Sequence, residues 1–418
     1  MEDRKFLEAL FAAAVKAADP LTGIRRHLPQ PPKNGRTVVI GAGKGAAQMA
    51  AALESVWSGQ LSGLVVTRYG YGCQTRDIEI IEASHPVPNT AGLVAGKRLM
   101  EAISDLSEDD LVIALICGGG SALLPAPPDS LMLDDEIALN EALLASGAPI
   151  SAMNVVRKHL STIKGGRLAA ATKARVVSLI VSDIPGDNPA FVASGPTIPD
   201  GTTRHDALAI VEQYGLKLPK AMIAHLQSPA ADAPRPDDPV FSRHEYYVIA
   251  SAAVSLEAAA EVARTHGIAP YILSDSVEGE ARDVALVHAA IAREVALRGR
   301  PFAKPAVLLS GGETTVTLRS KGGRGGRNGE FALALALAVD GHEVTALAAD
   351  TDGIDGSETN AGAFVDGTTA RRLRAAGLDG RKLLDANDSF SGFFAIGDLF
   401  ATGPTGTNVN DFRAILIR

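Results

Sequence analysis

The run LVIALIC at 111–117 is apolar at every position, and a strand with no polar alternation has to be buried on both of its faces. Shorter, β-rich and mostly apolar runs stand at 37–40 (TVVI), 64–67 (LVVT), 78–81 (IEII) and 176–181 (VVSLIV). Between them lie stretches of helical period near 45–57, 90–103, 134–146 and 152–163. Buried strands spaced by helices predict a mostly parallel sheet covered on both sides, an α/β domain.

The alternation is interrupted at 228–239, SPAADAPRPDDP, where Pro229, Pro234, Pro236 and Pro239 can continue neither a helix nor a strand. The expected boundary lies there, with one domain over 1–235 and another over 240–418. The second is expected to open with a strand at 246–250 and a helix at 251–266. A strand at 269–273, a helix at 279–297 and strands at 306–309, 314–318, 344–349 and 413–417 should follow. This is a mixed α/β pattern, and the site is expected in a cleft between the two domains.

Composition excludes several classes. Lys plus Arg total 40 against 48 Asp plus Glu, a formal charge of -8, so no overall positive field draws in nucleic acid or anionic lipid. An anionic ligand needs a local cluster instead. The longest apolar runs fall short of the ~18 residues that mark a transmembrane helix. The N-terminus, with Glu2, Asp3, Arg4 and Lys5 ahead of an amphipathic pattern, lacks the order of a signal peptide. Two cysteines, Cys73 and Cys117, cannot make a disulfide framework. The cytoplasm is the expected compartment.

Glycines cluster directly after predicted strands, where open α/β sheets bind ligands. GAGKGA at 41–46 follows the strand at 37–40 and opens a helix. Gly41, Gly43 and Gly45 permit a tight turn near a phosphate, and Lys44 is a cation set inside that turn. The motif fits a dinucleotide fingerprint poorly, because Thr67 and Arg68 stand where an acidic residue is required. Gly118, Gly119, Gly120 and Ser121 resemble a backbone nest for an oxyanion. Leu123 rules out the nucleophile elbow of a serine hydrolase.

Helical spacing along MNVVRKHLSTIKGGRLA at 153–169 puts Arg157, Ser161 and Lys164 on one face, which meets an anion or is simply solvated. Asp183 and Asp187 follow the strand at 176–181, where carboxylates hold a divalent metal, accept a proton or shape a turn. Gly311, Gly312 and Glu313 repeat the design of glycines after a strand. The loop KGGRGGRNGE at 321–330 carries Lys321, Arg324 and Arg327 ahead of a helix that Asn328 can cap. An arginine fork suits a carboxylate or a phosphate. Asp350, Asp352 and Asp355 miss the EF-hand pattern and fit Mg²⁺, a sugar hydroxyl or a solvated turn.

In order along the chain stand SHPVPN at 84–89, CGGGSALL at 117–124, NVVRKHLSTIKGGRLA at 154–169 and the runs at 182–197. LSGGETTVT at 309–317, GGRNGEFALA at 325–334, DTDGIDG at 350–356 and GPTGTNVND at 403–411 complete the series. Together they resemble the glycerate 2-kinase family with its C-terminal MOFRL domain, over nearly the whole chain and with no clear departure inside these motifs. The resemblance implies a Rossmann-like N-terminal domain and a MOFRL-like C-terminal domain. It implies transfer of phosphate from ATP to the 2-hydroxyl of D-glycerate with a divalent metal such as Mg²⁺. Lys44, an Asp of the 183–187 run and an arginine of the 324–327 loop would be the functional residues. Ligand-binding backbone is expected at Gly41, Gly43, Gly45, Gly118 to Gly120 with Ser121, and Gly311, Gly312 and Glu313. The metal would fall to Asp183 and Asp187.

Phosphoryl transfer asks for positioning and charge neutralisation, which such groups supply. Two other readings stay open. An NAD(P)H-dependent hydroxypyruvate or tartronate-semialdehyde reductase would place GAGKGA on the pyrophosphate and need a group such as His85 for proton transfer. A sugar-phosphate sensor would use the same nests without the Asp clusters. The expected partner is the small-molecule substrate, with a homodimer left open.

Overall fold

A computed structural model describes residues 2–318 and 322–418; Lys321 lies outside them. The predicted parallel strands all form: β1 Thr37–Ala42, β2 Ser62–Arg68, β3 Glu79–Ala83, β4 Leu111–Cys117 and β5 Arg175–Val181. They pair in parallel, and with β6 (His244–Ala250) at the edge the order is β3-β2-β1-β4-β5-β6. This is the Rossmann strand order. β1 and β4 are buried along their whole length, as continuous apolar strands in the middle of a doubly covered sheet must be. The strand at 246–250, expected to open the second sheet, extends the first one instead. A short apolar run carries no signal of which sheet it joins.

The second sheet has the order β11-β10-β9-β12-β8-β7 and mixes directions. Its strands are β7 Ala269–Glu280, β8 Ala306–Thr315, β9 Val344–Asp350, β10 Gly362–Asp366, β11 Leu399–Phe400 and β12 Asp411–Ile417. β7 and β8 run parallel, whereas β12 is antiparallel to both β8 and β9. In place of the strands expected at 306–309 and 314–318 there is one strand, Ala306–Thr315. Gly312, with φ of 119°, passes so close to β7 that a β-carbon would sit 2.2 Å from Val277 N. The two glycines therefore serve strand packing where a break was expected.

By internal contacts the chain forms two compact units: Met1–Thr22 with Asp183–Gly186 and Ala250–Arg418, and Gly23–Ser182 with Asp187–Ile249. The helix Asp3–Ala17 belongs to the unit of the second sheet, burying Phe6, Leu7, Leu10, Phe11 and Ala14 among Leu256, Ala260, Leu347 and Phe412. Helix Arg327–Ala338 covers the other face, with Phe331, Leu333 and Leu335 against Leu308, Ala346 and Ile415. Among the described residues no helix is long and apolar enough to cross a membrane.

Candidate functional site

In the unit of the parallel sheet, the GAGKGA segment begins inside β1. A β-carbon on Gly41 would meet Leu115 O at 2.5 Å, and one on Gly43, whose φ is 139°, would meet Cys117 Sγ at 2.3 Å. Glycine is required at both positions for the turn to lie against β4. Three turn amides are engaged within the protein: Gly43 N donates to Val66 O (3.1 Å), Lys44 N to Gly118 O (2.8 Å) and Gly45 N to Cys117 Sγ (3.2 Å). Thr67, at the end of β2, donates to Lys44 O (3.0 Å). The turn is thus stitched to the ends of β2 and β4, and the charged group it presents is the Lys44 ammonium.

That ammonium has close company. Gly119 has φ of 80°, and a β-carbon there would stand 2.9 Å from Lys44 Cγ, 3.0 Å from Lys44 Cε and 3.1 Å from His85 Nε2. Burial, followed by the charges of Lys44 and Arg68, pushes the His85 pKa down to about 4, so the imidazole is neutral at neutral pH. Arg68 stacks on the Tyr71 ring at 3.7 Å. Lys44, Arg68 and His85 form a basic corner at the C-terminal edge of the sheet, where open α/β sheets hold ligands. The four-residue helix Gly120–Leu123 follows, and Ser121 Oγ lies 2.6 Å from Ser194 Oγ.

The basic helical face expected from Arg157, Ser161 and Lys164 does not form. The helix ends at His159, and Lys164 is buried in an ion pair with Glu136 at 2.6 Å. Arg157 donates through Nε to Asn140 (2.8 Å). An i, i+4, i+7 pattern cannot foresee a helix that stops between its members. Asp183 follows β5 and its carbonyl accepts from Asn410 Nδ2 (2.6 Å). Asp187 closes a short turn with φ of 51°, a left-handed conformation that Asp tolerates better than most residues.

In the unit of the mixed sheet, Arg327 opens the helix Arg327–Ala338 and is held by three carboxylates. Nε donates to Asp411 (2.7 Å), Nη2 to Asp350 (2.7 Å) and Nη1 to Glu313 (2.8 Å). Burial disfavours its charge, but Asp411, Asp350 and Glu313 outweigh that and raise its pKa. Burial and then Asp352 push the Asp350 carboxyl up to about 8 against the pull of Arg327. The helix is capped by Asp355, which accepts from Asn328 N (2.9 Å) and Gly329 N (2.7 Å). The Asn328 side chain does not cap; its Nδ2 donates to Asp411 (2.8 Å). Arg324 pairs with Glu358 (2.6 Å) and stacks on Phe390.

Asp411, Arg413, His85, Asn154 and Ser194 are structural neighbours of these groups that carried little or no weight in the sequence. Asp411 is fully buried and also accepts from Thr314 N and Oγ1, both at 3.1 Å, and from the buried Arg413. Sitting in DFRAILI, these two charges look like an ordinary strand entry. Among the described residues, no group of three or more His, Cys, Asp or Glu side chains is arranged to hold a metal ion.

Fold and site define a two-unit α/β protein: a Rossmann-ordered sheet with a lysine in its first glycine turn, and a mixed sheet whose helix begins at a carboxylate-held arginine. Residues 6–227 match the domain of unknown function DUF4147, and residues 306–411 match the MOFRL family. The chain is 51% identical to a putative hydroxypyruvate reductase of Agrobacterium vitis over 99% of its own length and 94% of the relative. It is 40% identical to the glycerate 2-kinase of Pyrococcus horikoshii over 100% of this chain and 98% of that one. The crystal structure of a glycerate kinase from Thermotoga maritima superposes with a TM-score of 0.90 at 38% identity, covering 99% of each chain. The chain belongs to the glycerate kinase family built on the DUF4147 and MOFRL domains.

Proposed function

We propose that this chain is a glycerate 2-kinase, transferring the γ-phosphoryl group of ATP to the 2-hydroxyl of D-glycerate to give 2-phosphoglycerate and ADP. Full-length likeness to the Pyrococcus and Thermotoga kinases supports the reaction class. The observation that carries the reading within the molecule is Lys44 lying against Gly119 with a neutral His85 beside it. A transferring phosphoryl group needs a fixed positive charge more than a covalent partner. Lys44 supplies that charge from a turn whose amides are tied down.

On this reading Lys44 neutralises phosphate oxygens, and a carboxylate of the turn after β5, Asp187 first and Asp183 second, accepts the 2-hydroxyl proton or holds the metal. Mg²⁺ that arrives on a nucleotide keeps several waters and needs only one or two protein carboxylates, so this turn suits it chemically. The bound ion would neutralise phosphate charge. Arg327 is assigned to the glycerate carboxylate: Asp411 and Asp350 hold two of its nitrogens from buried positions, whereas its Glu313 partner has a side chain 50% exposed. Nη1 is therefore the nitrogen a ligand carboxylate can take over.

The reductase name of the Agrobacterium relative has little physical support in this chain. A dinucleotide fingerprint needs turn amides free for the pyrophosphate and an acid for the ribose. Here the amides of Gly43, Lys44 and Gly45 are engaged, and Thr67 is turned onto Lys44 O. The test sets ADP release with D-glycerate and Mg-ATP against NADH or NADPH loss with hydroxypyruvate. Phosphorus NMR of the product should show the 2-phosphate. A 3-phosphate product, or reduced-nucleotide oxidation without ATP turnover, would overturn the proposal.

A further inference from the structure

Ala193, Ser194 and Gly195 follow one another with φ of 53°, 60° and 61°. Two residues bearing side chains in the left-handed region are strained, and such strain persists only where the surroundings over-determine it. They are held by Gly165 N donating to Ser194 O (3.1 Å), Gly166 N to Gly195 O (2.7 Å) and Leu168 N to Pro196 O (3.1 Å). The turn also presses Ala193 onto Gly120, where a β-carbon would lie 2.5 Å from Ala193 Cβ. Its result is to place the buried Ser194 hydroxyl between Ser121 Oγ (2.6 Å) and Asn154 Oδ1 (2.8 Å).

The direction of the protons in this chain follows from chemistry alone. The carbonyl of Phe191 can only accept, so the Asn154 amide must turn Nδ2 toward it (3.4 Å) and Oδ1 toward Ser194. Oδ1 can only accept, so Ser194 donates to it and spends its single proton. At the Ser121–Ser194 contact Ser121 must then be the donor. Ser194 and Asn154 are buried at 0% and 1% exposure, while Ser121 is half-buried. The hydroxyl at the outer end of the relay thus has its proton committed inward and only lone pairs to offer.

Resting on the glycerate kinase reading above, we propose that Ser121 Oγ is an oriented acceptor that recognises the 3-hydroxyl of glycerate. An acceptor-only group repels phosphate and carboxylate oxygens and selects a donor. The 2-hydroxyl is excluded because it must give up its proton as it attacks, and a serine hydroxyl is too weak a base to take it. The 3-hydroxyl stays a donor throughout. A site built to hydrogen-bond one hydroxyl discriminates strongly against the analogue lacking it. Ser194 and Asn154 are positioning residues that act through Ser121.

The test uses D-lactate, which is glycerate without the 3-hydroxyl, as a competitive inhibitor of phosphorylation by the full chain. Ser121→Ala should raise the KM for D-glycerate by roughly ten- to a hundredfold, while the Ki of D-lactate and the KM for ATP stay within about twofold. If the alanine variant does not fold, Ser121→Cys, which gives up the strong acceptor but keeps a side chain there, should show the same split. Equal increases in the glycerate KM and lactate Ki would mean a general distortion and overturn the proposal. So would an increase in the ATP KM alone, or an unchanged glycerate KM. Absence of ATP turnover with D-glycerate in the unsubstituted chain would instead overturn the kinase reading, and this inference with it.

Discussion

Gly119 is the residue against which the Lys44 side chain lies, for a β-carbon there would stand 2.9 Å from Lys44 Cγ and 3.0 Å from Cε. The left-handed φ of 80° at Gly119 and the passage of Lys44 across it are one arrangement. Lys44→Ala should therefore lower kcat about 10²- to 10³-fold, the scale for one preorganised charge facing a transition state. Gly119→Ala should lower it as well with the lysine still present, because the new methyl group displaces the ammonium. Near-normal turnover of a folded Lys44→Ala protein would return the lysine to a surface role.

The proposed function gives the two carboxylates of the turn after β5 different roles. Asp187→Asn is expected to keep the fold yet lose activity that excess Mg²⁺ restores poorly. Asp183→Asn should be the milder change if, as proposed, Asp183 serves mainly to orient the turn. Steady-state kinetics across a Mg²⁺ series decides. An inactive Asp183→Asn beside an active Asp187→Asn would reverse the order.

His85 gives a pH dependence of definite sign. The unfolded chain takes up this proton near the ordinary value of 6.5, the folded chain only near 4. Between those values the unfolded state holds more protons, so acidification costs stability and raising the pH restores it. Asp355 and Asp350, raised by burial first to about 6 and about 8, act in the opposite sense and lose stability as pH rises. They are common to wild type and His85→Gln and cancel in the difference. The wild-type melting temperature should fall more steeply than that of His85→Gln from pH 6.5 to pH 4; parallel curves would refute the assignment.

The first five strands could be read from sequence because each carries a short β-rich apolar run and helical patterns space them; β1 and β4, buried throughout, are the ones only a doubly covered sheet can hold. The glycine turn that carries Lys44 was legible for a similar local reason, its glycines standing directly after an apolar strand. Contacts between distant segments were not. Phe6, Leu7 and Leu10 announce a buried helix face without saying that Leu256 and Phe412 cover it. β10 was missed because five residues ending in Asp366 carry too little pattern. The carboxylates around Arg327 come from β8, β9 and β12, and nothing local in those strands marks them as partners of one guanidinium.

Asp411 is the group that holds this cluster together, accepting from Arg327, Asn328, Thr314 and Arg413 with its side chain fully buried. Removing one partner of a buried ionic network leaves the others uncompensated. Asp411→Asn should therefore destabilise the protein by about 3–5 kcal/mol, seen as a lower denaturation midpoint in urea. A midpoint unchanged from wild type would mean that the charges are solvated and the network carries no stability.

Arg327 is the test of whether this cluster serves the reaction. Its guanidinium meets Asp411, Asp350 and Glu313 through three different nitrogens, a division that a lysine ammonium cannot reproduce. Asp411 and Asp350 hold it from the buried side, and the exposed Glu313 is the partner a ligand carboxylate can replace. Arg327→Lys should raise the glycerate KM or lower kcat while the KM for ATP changes little. Arg324, already spent on Glu358 and stacked on Phe390, should tolerate the same substitution better. Activity retained by Arg327→Lys and lost by Arg324→Lys would move the role to Arg324. Full activity of both variants would remove the loop from the site and leave Arg327 a structural counter-ion to Asp411.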